Sequence, residues 1–138
     1  MSRVIHTENI GTQRNRMCKG VVLAIRELMS QTKPDSKSRD LAAFIALSLE
    51  AIADTIEQTV TPWEKRDYWV KADRFRMEWA WAGKYAKQMR AAALAQDWPQ
   101  IAMIAAQVGQ QLSSVKVSPR HRMGTPWVGA WEKLTAAE

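Results

Sequence analysis

The chain has 138 residues and a mass of 15.7 kDa, which is room for one domain. Its 46% apolar and 25% charged residues are the balance of a globular chain, and no run of 18 apolar residues is present to cross a membrane. A single cysteine, Cys18, excludes an internal disulfide framework and points to a reducing, cytoplasmic setting, while a formal charge of +6 favours acidic partners.

Residues 1–11 are polar and irregular, and they lack the apolar segment of a secretory signal. The spacing predicts helix one from Thr12 to Gln31, with Met17, Val21, Ala24 and Leu28 stepping by four, three and four. Thr32-Lys33-Pro34-Asp35 then breaks the chain and supplies a cap. Helix two is expected from Ser36 to Thr59. Its inward side reads Leu41, Phe44 or Ile45, Ser48, Ile52, Ile56 and Thr59 or Val60, and its polar side carries Glu50, Asp54 and Glu57.

Thr61-Pro62-Trp63-Glu64 has the form of a capping box with proline at the first helical position, so helix three is expected to start there and run to Ala95. Tyr68, Ala72, Phe75, Trp79, Ala82, Ala86, Met89 and Ala93 alternate steps of four and three. A rod of that length would measure roughly 50 Å. Asp97-Trp98-Pro99-Gln100 repeats the capping logic for helix four, expected to reach Val115 with Ile101, Ala105, Val108 and Leu112 inward. Residues 116–126 are basic and irregular, and Thr125-Pro126-Trp127 opens a last short helix to about Ala136. The reading is all-α: an antiparallel up-down four-helix bundle, core 12–115, with a short C-terminal tail or helix over 116–138.

Catalytic constellations are missing from the sequence. Two histidines, His6 and His121, sit near opposite ends, and with one cysteine they cannot make a zinc set. No glutamate is followed three residues later by histidine, as a di-iron bundle requires. No glycine-rich phosphate loop or nucleophile elbow occurs. Glu50, Asp54 and Glu57 could in principle serve acid–base or metal chemistry, but without histidine partners they read as a solvated face. The expectation is therefore no enzyme, no cofactor and no metal.

Charge is unevenly spread. Six positive and two negative residues give 1–34 a charge of +4; two positive and five negative give 35–60 a charge of −3; eight positive and four negative give 61–95 a charge of +4. Helix one offers Arg14, Arg16, Lys19 and Arg26. On helix three, Lys84, Lys87 and Arg90 have no acid within four residues and read as the freest cluster; Lys116, Arg120 and Arg122, beside His121, form another in the tail. These ten cations are the candidate nucleic-acid contacts. Seven tryptophans are present. Trp79 lies on the core stripe, whereas Trp69 and Trp81 lie off it and, with Tyr85, widen helix three into a second apolar flank. That flank, with Trp127 and Trp131 in the tail, is the candidate surface for a second protomer or another partner.

The stretches SRDLAAFIALSLEAIAD, KADRFRMEWAWAGKYAKQMR and IAMIAAQVGQQLSSV, with this helix order and basic character, resemble a group of small basic four-helix-bundle proteins. The group includes the accessory variability determinant of diversity-generating retroelements and relatives encoded in intervening sequences of bacterial ribosomal RNA genes. The resemblance implies a pentameric barrel of bundles that binds RNA or DNA and assists a reverse transcriptase, with the basic positions on helices one and three as contacts. The acidic helix two, the tryptophan content and the segment from Val117 onward depart from that pattern. The expected function is a non-enzymatic, homo-oligomeric nucleic-acid binder without strong sequence specificity. The alternative is a protein–protein adaptor using the exposed tryptophans. Membrane binding is not expected, because the apolar stripes are committed to the core.

Overall fold

The computed structural model describes residues 9–136. His6, the rest of 1–8 and residues 137–138 lie outside the described residues. The described chain is helical: α1 Ile10–Met29, α2 Ser36–Lys65, α3 Trp69–Ala95, α4 Trp98–Gln111 and α5 Ala130–Ala136, with no strand. None of these helices is long and apolar enough to cross a membrane.

Two N-termini form as their capping residues dictate. Asn9 Oδ1 accepts from Thr12 N at 2.7 Å to start α1, and Asp35 Oδ1 accepts from Ser38 N at 3.0 Å to start α2. That bond, with those from the Ser38 hydroxyl and the Lys37 backbone, holds the Asp35 carboxyl below its ordinary pKa. At α4 the expected cap is also present, with Asp97 Oδ1 accepting from Gln100 N at 3.3 Å.

The boundary between α2 and α3 is not where the capping box placed it. Thr61 does not cap a new helix; its hydroxyl donates back to the Glu57 carbonyl at 2.7 Å, and Pro62 lies inside α2. The helix runs on to Lys65 and stops in a Schellman turn, in which Tyr68 N donates to Trp63 O and Asp67 N to Glu64 O. Asp67 takes the left-handed position usually given to glycine, at φ 64°. α3 ends the same way: Asp97 N reaches Ala92 O, Gln96 N reaches Ala93 O, and Gln96 is left-handed at φ 51°. Proline inside a helix costs about 3 kcal/mol. The continued turn offsets that cost with contacts only it can make. Trp63 meets Phe75 edge-on at 5.4 Å, and Glu64 binds Arg76 at 2.6 and 3.0 Å.

α2 is the central element, packing against α1, α3 and α5, while α4 packs on α3 and α1. Three neighbours explain why α2 buries more than one stripe: Leu41, Ile45, Ile52, Ile56 and Val60 as expected, and also Leu49, Thr55 and three alanines. α4 buries Ile101, Ala105 and Val108 on the expected side, but it ends at Gln111, short of the expected Val115, with its C-cap Leu112 still buried. On α1 the expected Val21 and Ala24 are fully buried, but Met17 and Leu28 are only half-buried, and Arg14, Cys18 and Ile25 turn inward beside them. Gly20 lets α2 come close, since a Cβ there would sit 3.3 Å from the Phe44 ring.

The C-terminal segment is docked. Trp127 is 5% exposed and belongs to the core, as does Leu134 of α5. The Asp40 carboxylate of α2 accepts from Gly129 N at 3.2 Å and Trp131 N at 2.9 Å, capping α5 from outside its own chain segment.

Removing the proline tests this account of the α2 terminus. Pro62→Ala is expected to stabilise the protein by about 2–2.5 kcal/mol, the helix penalty less the entropy regained by the unfolded chain. Urea unfolding measures it; a lower midpoint would mean that Pro62 itself is needed to end α2.

Candidate nucleic-acid interface

The cations picked from the sequence divide into three groups. The first is interior. Arg14, expected to face phosphates, is 8% exposed because its side chain turns into the junction of α1, α2 and α3. Its Nε donates to Thr55 Oγ1 at 3.0 Å and its Nη2 to the Thr55 carbonyl at 3.2 Å and to Thr59 Oγ1. Its guanidinium carbon lies 5.0 Å from the Phe75 ring centre and 5.6 Å from that of Trp79. Both threonines hold their hydroxyls in place by donating along α2, Thr55 to Ile52 O at 2.6 Å and Thr59 to Thr55 O at 2.8 Å. Burial lowers the guanidinium pKa, with Cys18 acting in the opposite sense, yet arginine starts so high that it keeps its charge.

The second group is neutralised. Arg90, expected to be free, binds Glu50 of α2 through Nε to Oε1 at 2.9 Å and Nη2 to Oε2 at 3.3 Å. Arg76 grips Glu57 at 3.0 and 3.1 Å as well as Glu64, and the Arg76 hydrogen bond holds the Glu64 carboxyl below its usual range. The acidic face of α2 is thus largely answered by α3. Sequence spacing could not show this, because the acids lie 12 to 40 residues from their partners.

The third group faces solvent. Lys19, Arg26, Lys84, Lys87, Lys116, Arg120 and Arg122 are exposed and form no salt bridge among the described residues; Arg16 is exposed too. Lys84 lies 5.4 Å from the ring centre of the neighbouring Tyr85. Of these cations, Lys19 and Lys116 border one cavity of about 500 Å³ between α1, α3 and the chain leaving α4. A second, adjoining hollow of about 430 Å³ shares Asn15 and Lys19 with it, and is bordered by Arg16, Ser118 and His121. Together they make one groove along α1. The segment beside it is ordered locally: Ser118 accepts from Arg120 N through its hydroxyl and from His121 N through its carbonyl, and His121 Nδ1 accepts from Met123 N at 3.3 Å.

The aromatic side of the larger cavity was not legible in the sequence. Trp79 and Trp81 both border it, with ring centres 5.6 Å apart and planes 27° apart. Residues two apart on a helix do not ordinarily face each other, so spacing put one indole on the core stripe and the other off it. The remaining candidate interface residues divide as well. Trp69 is 53% exposed at the start of α3, beside the exposed Tyr68 and Val70, and Met77 is exposed further along the helix. Tyr85 is half-buried against the core. Trp127 is removed from the interface set by its burial. Trp131 is half-buried under Arg39, whose guanidinium carbon lies 5.5 Å from its ring centre. Among the described residues no group of three or more His, Cys, Asp or Glu is placed to hold a metal ion.

No protein-family model, curated protein or solved structure matches the chain.

Cys18 borders the same cavity yet is 2% exposed, and burial pushes its thiol from 9.0 up to about 11, against the opposing influence of Arg14. The unfolded thiol therefore ionises first as pH rises, and the folded state loses stability between those two values. Relative to a Cys18→Ala variant, the wild-type protein is expected to lose about 2–3 kcal/mol from pH 8.5 to 11. Parallel pH dependences in urea unfolding would show that the folded thiol ionises like a free one.

Proposed function

We propose that the chain is a non-enzymatic nucleic-acid-binding protein, built as an antiparallel up-down bundle of α1–α4 with α5 docked on α2. It binds RNA or DNA through backbone phosphates rather than base sequence. The observation that supports this reading most is the groove along α1, where Lys19 and Lys116 stand without salt-bridge partners among the described residues and stacked indoles stand beside them. Arg120 and Arg122 extend the positive charge from the adjoining segment. Cations that neutralise phosphates and aromatic rings that stack on bases are the two components of sequence-tolerant binding.

The protein works in this reading as a homo-oligomer, joined through the exposed apolar residues Trp69 and Met77 of α3, and serves a nucleic-acid enzyme such as a reverse transcriptase as an accessory. Exposed apolar residues on a helix that already has core neighbours are suited to a second protomer.

Four phosphate contacts to a single strand, from Lys19, Lys116, Arg120 and Arg122, predict a fall in affinity of roughly fifty-fold between 50 and 200 mM salt. Fluorescence anisotropy with a labelled oligonucleotide reads this directly. Light scattering of the same sample after nuclease treatment should give a mass above that of one chain. Undetectable binding at 50 mM salt removes the reading.

A further inference from the structure

The groove is uneven in a way that general phosphate binding does not require. At one end its wall includes two indoles, and along the rest Arg16, Lys19, Ser118 and His121 border it beside Val117 and Met123. The end with the indoles holds about 500 Å³, within the range of small-molecule sites. Two nearly parallel indoles, Trp79 and Trp81, form part of its wall, and Asn15 and Ser114 bring polar groups to it. Lys19 and Lys116 border the same space, and Glu78 is the one carboxylate among its lining residues. Trp79 is not free to swing, because the buried Arg14 lies over its ring and Phe75 packs 6.4 Å away.

We propose that this cavity takes one unpaired base of a single strand, stacked against the Trp79–Trp81 wall, with the flanking phosphates led along α1 by Lys19 and Lys116. The inference rests on the nucleic-acid reading above and narrows it from any polyanion to a strand with bases out of the helix. A base inside a duplex has both faces stacked and its pairing edge occupied, so it cannot enter a recess of this kind. An unpaired base brings a flat π-face for an indole, an edge for amide and hydroxyl groups, and a phosphate on either side for the lysines. Asn15 and Ser114 serve that edge, and the Glu78 carboxylate can accept from an exocyclic amine. Cys18 stays a neutral thiol at physiological pH and adds no charge against the phosphates.

The test uses the full chain at 50 mM salt with four probes: a labelled single strand of about 12 nucleotides as RNA and as DNA, its blunt duplex, and a mononucleotide. Single strands are expected to bind at least tenfold tighter than the duplex, and the mononucleotide much more weakly than either strand. Trp81→Ala should weaken single-strand binding by roughly five- to 150-fold, the loss of one stacked base, and leave duplex binding within twofold. Trp81 is half-buried and its removal could disturb the fold. Ser114→Phe is the companion variant, since Ser114 is exposed and a ring there fills the recess from outside. It should reproduce the selective loss with unchanged thermal unfolding. Equal affinity for strand and duplex, a strand preference that survives both variants, or a mononucleotide that binds as tightly as the strand would overturn the base-pocket inference while the phosphate-binding reading stands. Absence of binding to every probe would overturn both.

Discussion

A guanidinium charge is held inside a helical junction by hydroxyls, a carbonyl and aromatic faces, and the packing of α1, α2 and α3 is arranged around it. Arg14 receives no carboxylate among the described residues. A bare buried charge would be untenable, so each neighbour is specified. Thr55 and Thr59 must present oxygen at that level of α2, and Phe75 and Trp79 must present ring faces from α3. One side chain thereby fixes the level of three helices relative to one another. It also fixes Trp79, and through the Trp79–Trp81 stack it shapes the wall of the cavity.

Charge is then allocated rather than spread. Two of the arginines of α3 are drawn onto the carboxylates of α2, with Arg76 bridging Glu57 and Glu64 and Arg90 gripping Glu50. These pairs are partly exposed and contribute modestly to stability. Their larger consequence is subtractive, because they remove Arg76 and Arg90 from the cations open to a polyanion. The positive charge bordering the groove comes instead from α1 and the segment after α4, where Lys19 and Lys116 form no salt bridge among the described residues.

Helix order and most of the core follow from the apolar spacing, and the α4 cap at Asp97 forms as its residue type requires. Two features were hidden for definable reasons. The end of α2 was obscured because its stop signal is Asp67, not glycine, in the left-handed position, while Thr61-Pro62 offered a false start. The inward line of α1 was obscured because it begins with a charged residue, and apolar periodicity cannot nominate arginine for a core. The candidate site fared worse than the fold. Lys19, Lys116 and Trp81 do meet at one cavity, but Arg14, Arg90 and Trp127 are spent on structure. Which cations remain open depends on partners up to 45 residues away in the chain, beyond the reach of any local pattern.

A double-mutant cycle between Arg14 and Thr55 measures how firmly α2 holds the buried guanidinium. Thr55→Val keeps the side-chain shape and deletes the oxygen that Arg14 Nε needs. In the wild-type background the buried charge loses a partner; in an Arg14→Met background there is no charge to strand. A coupling of about 1.5–3 kcal/mol is expected in urea unfolding, as for a hydrogen bond to a charged group. Additive losses, within about 0.5 kcal/mol, would mean that Arg14 is not held by α2.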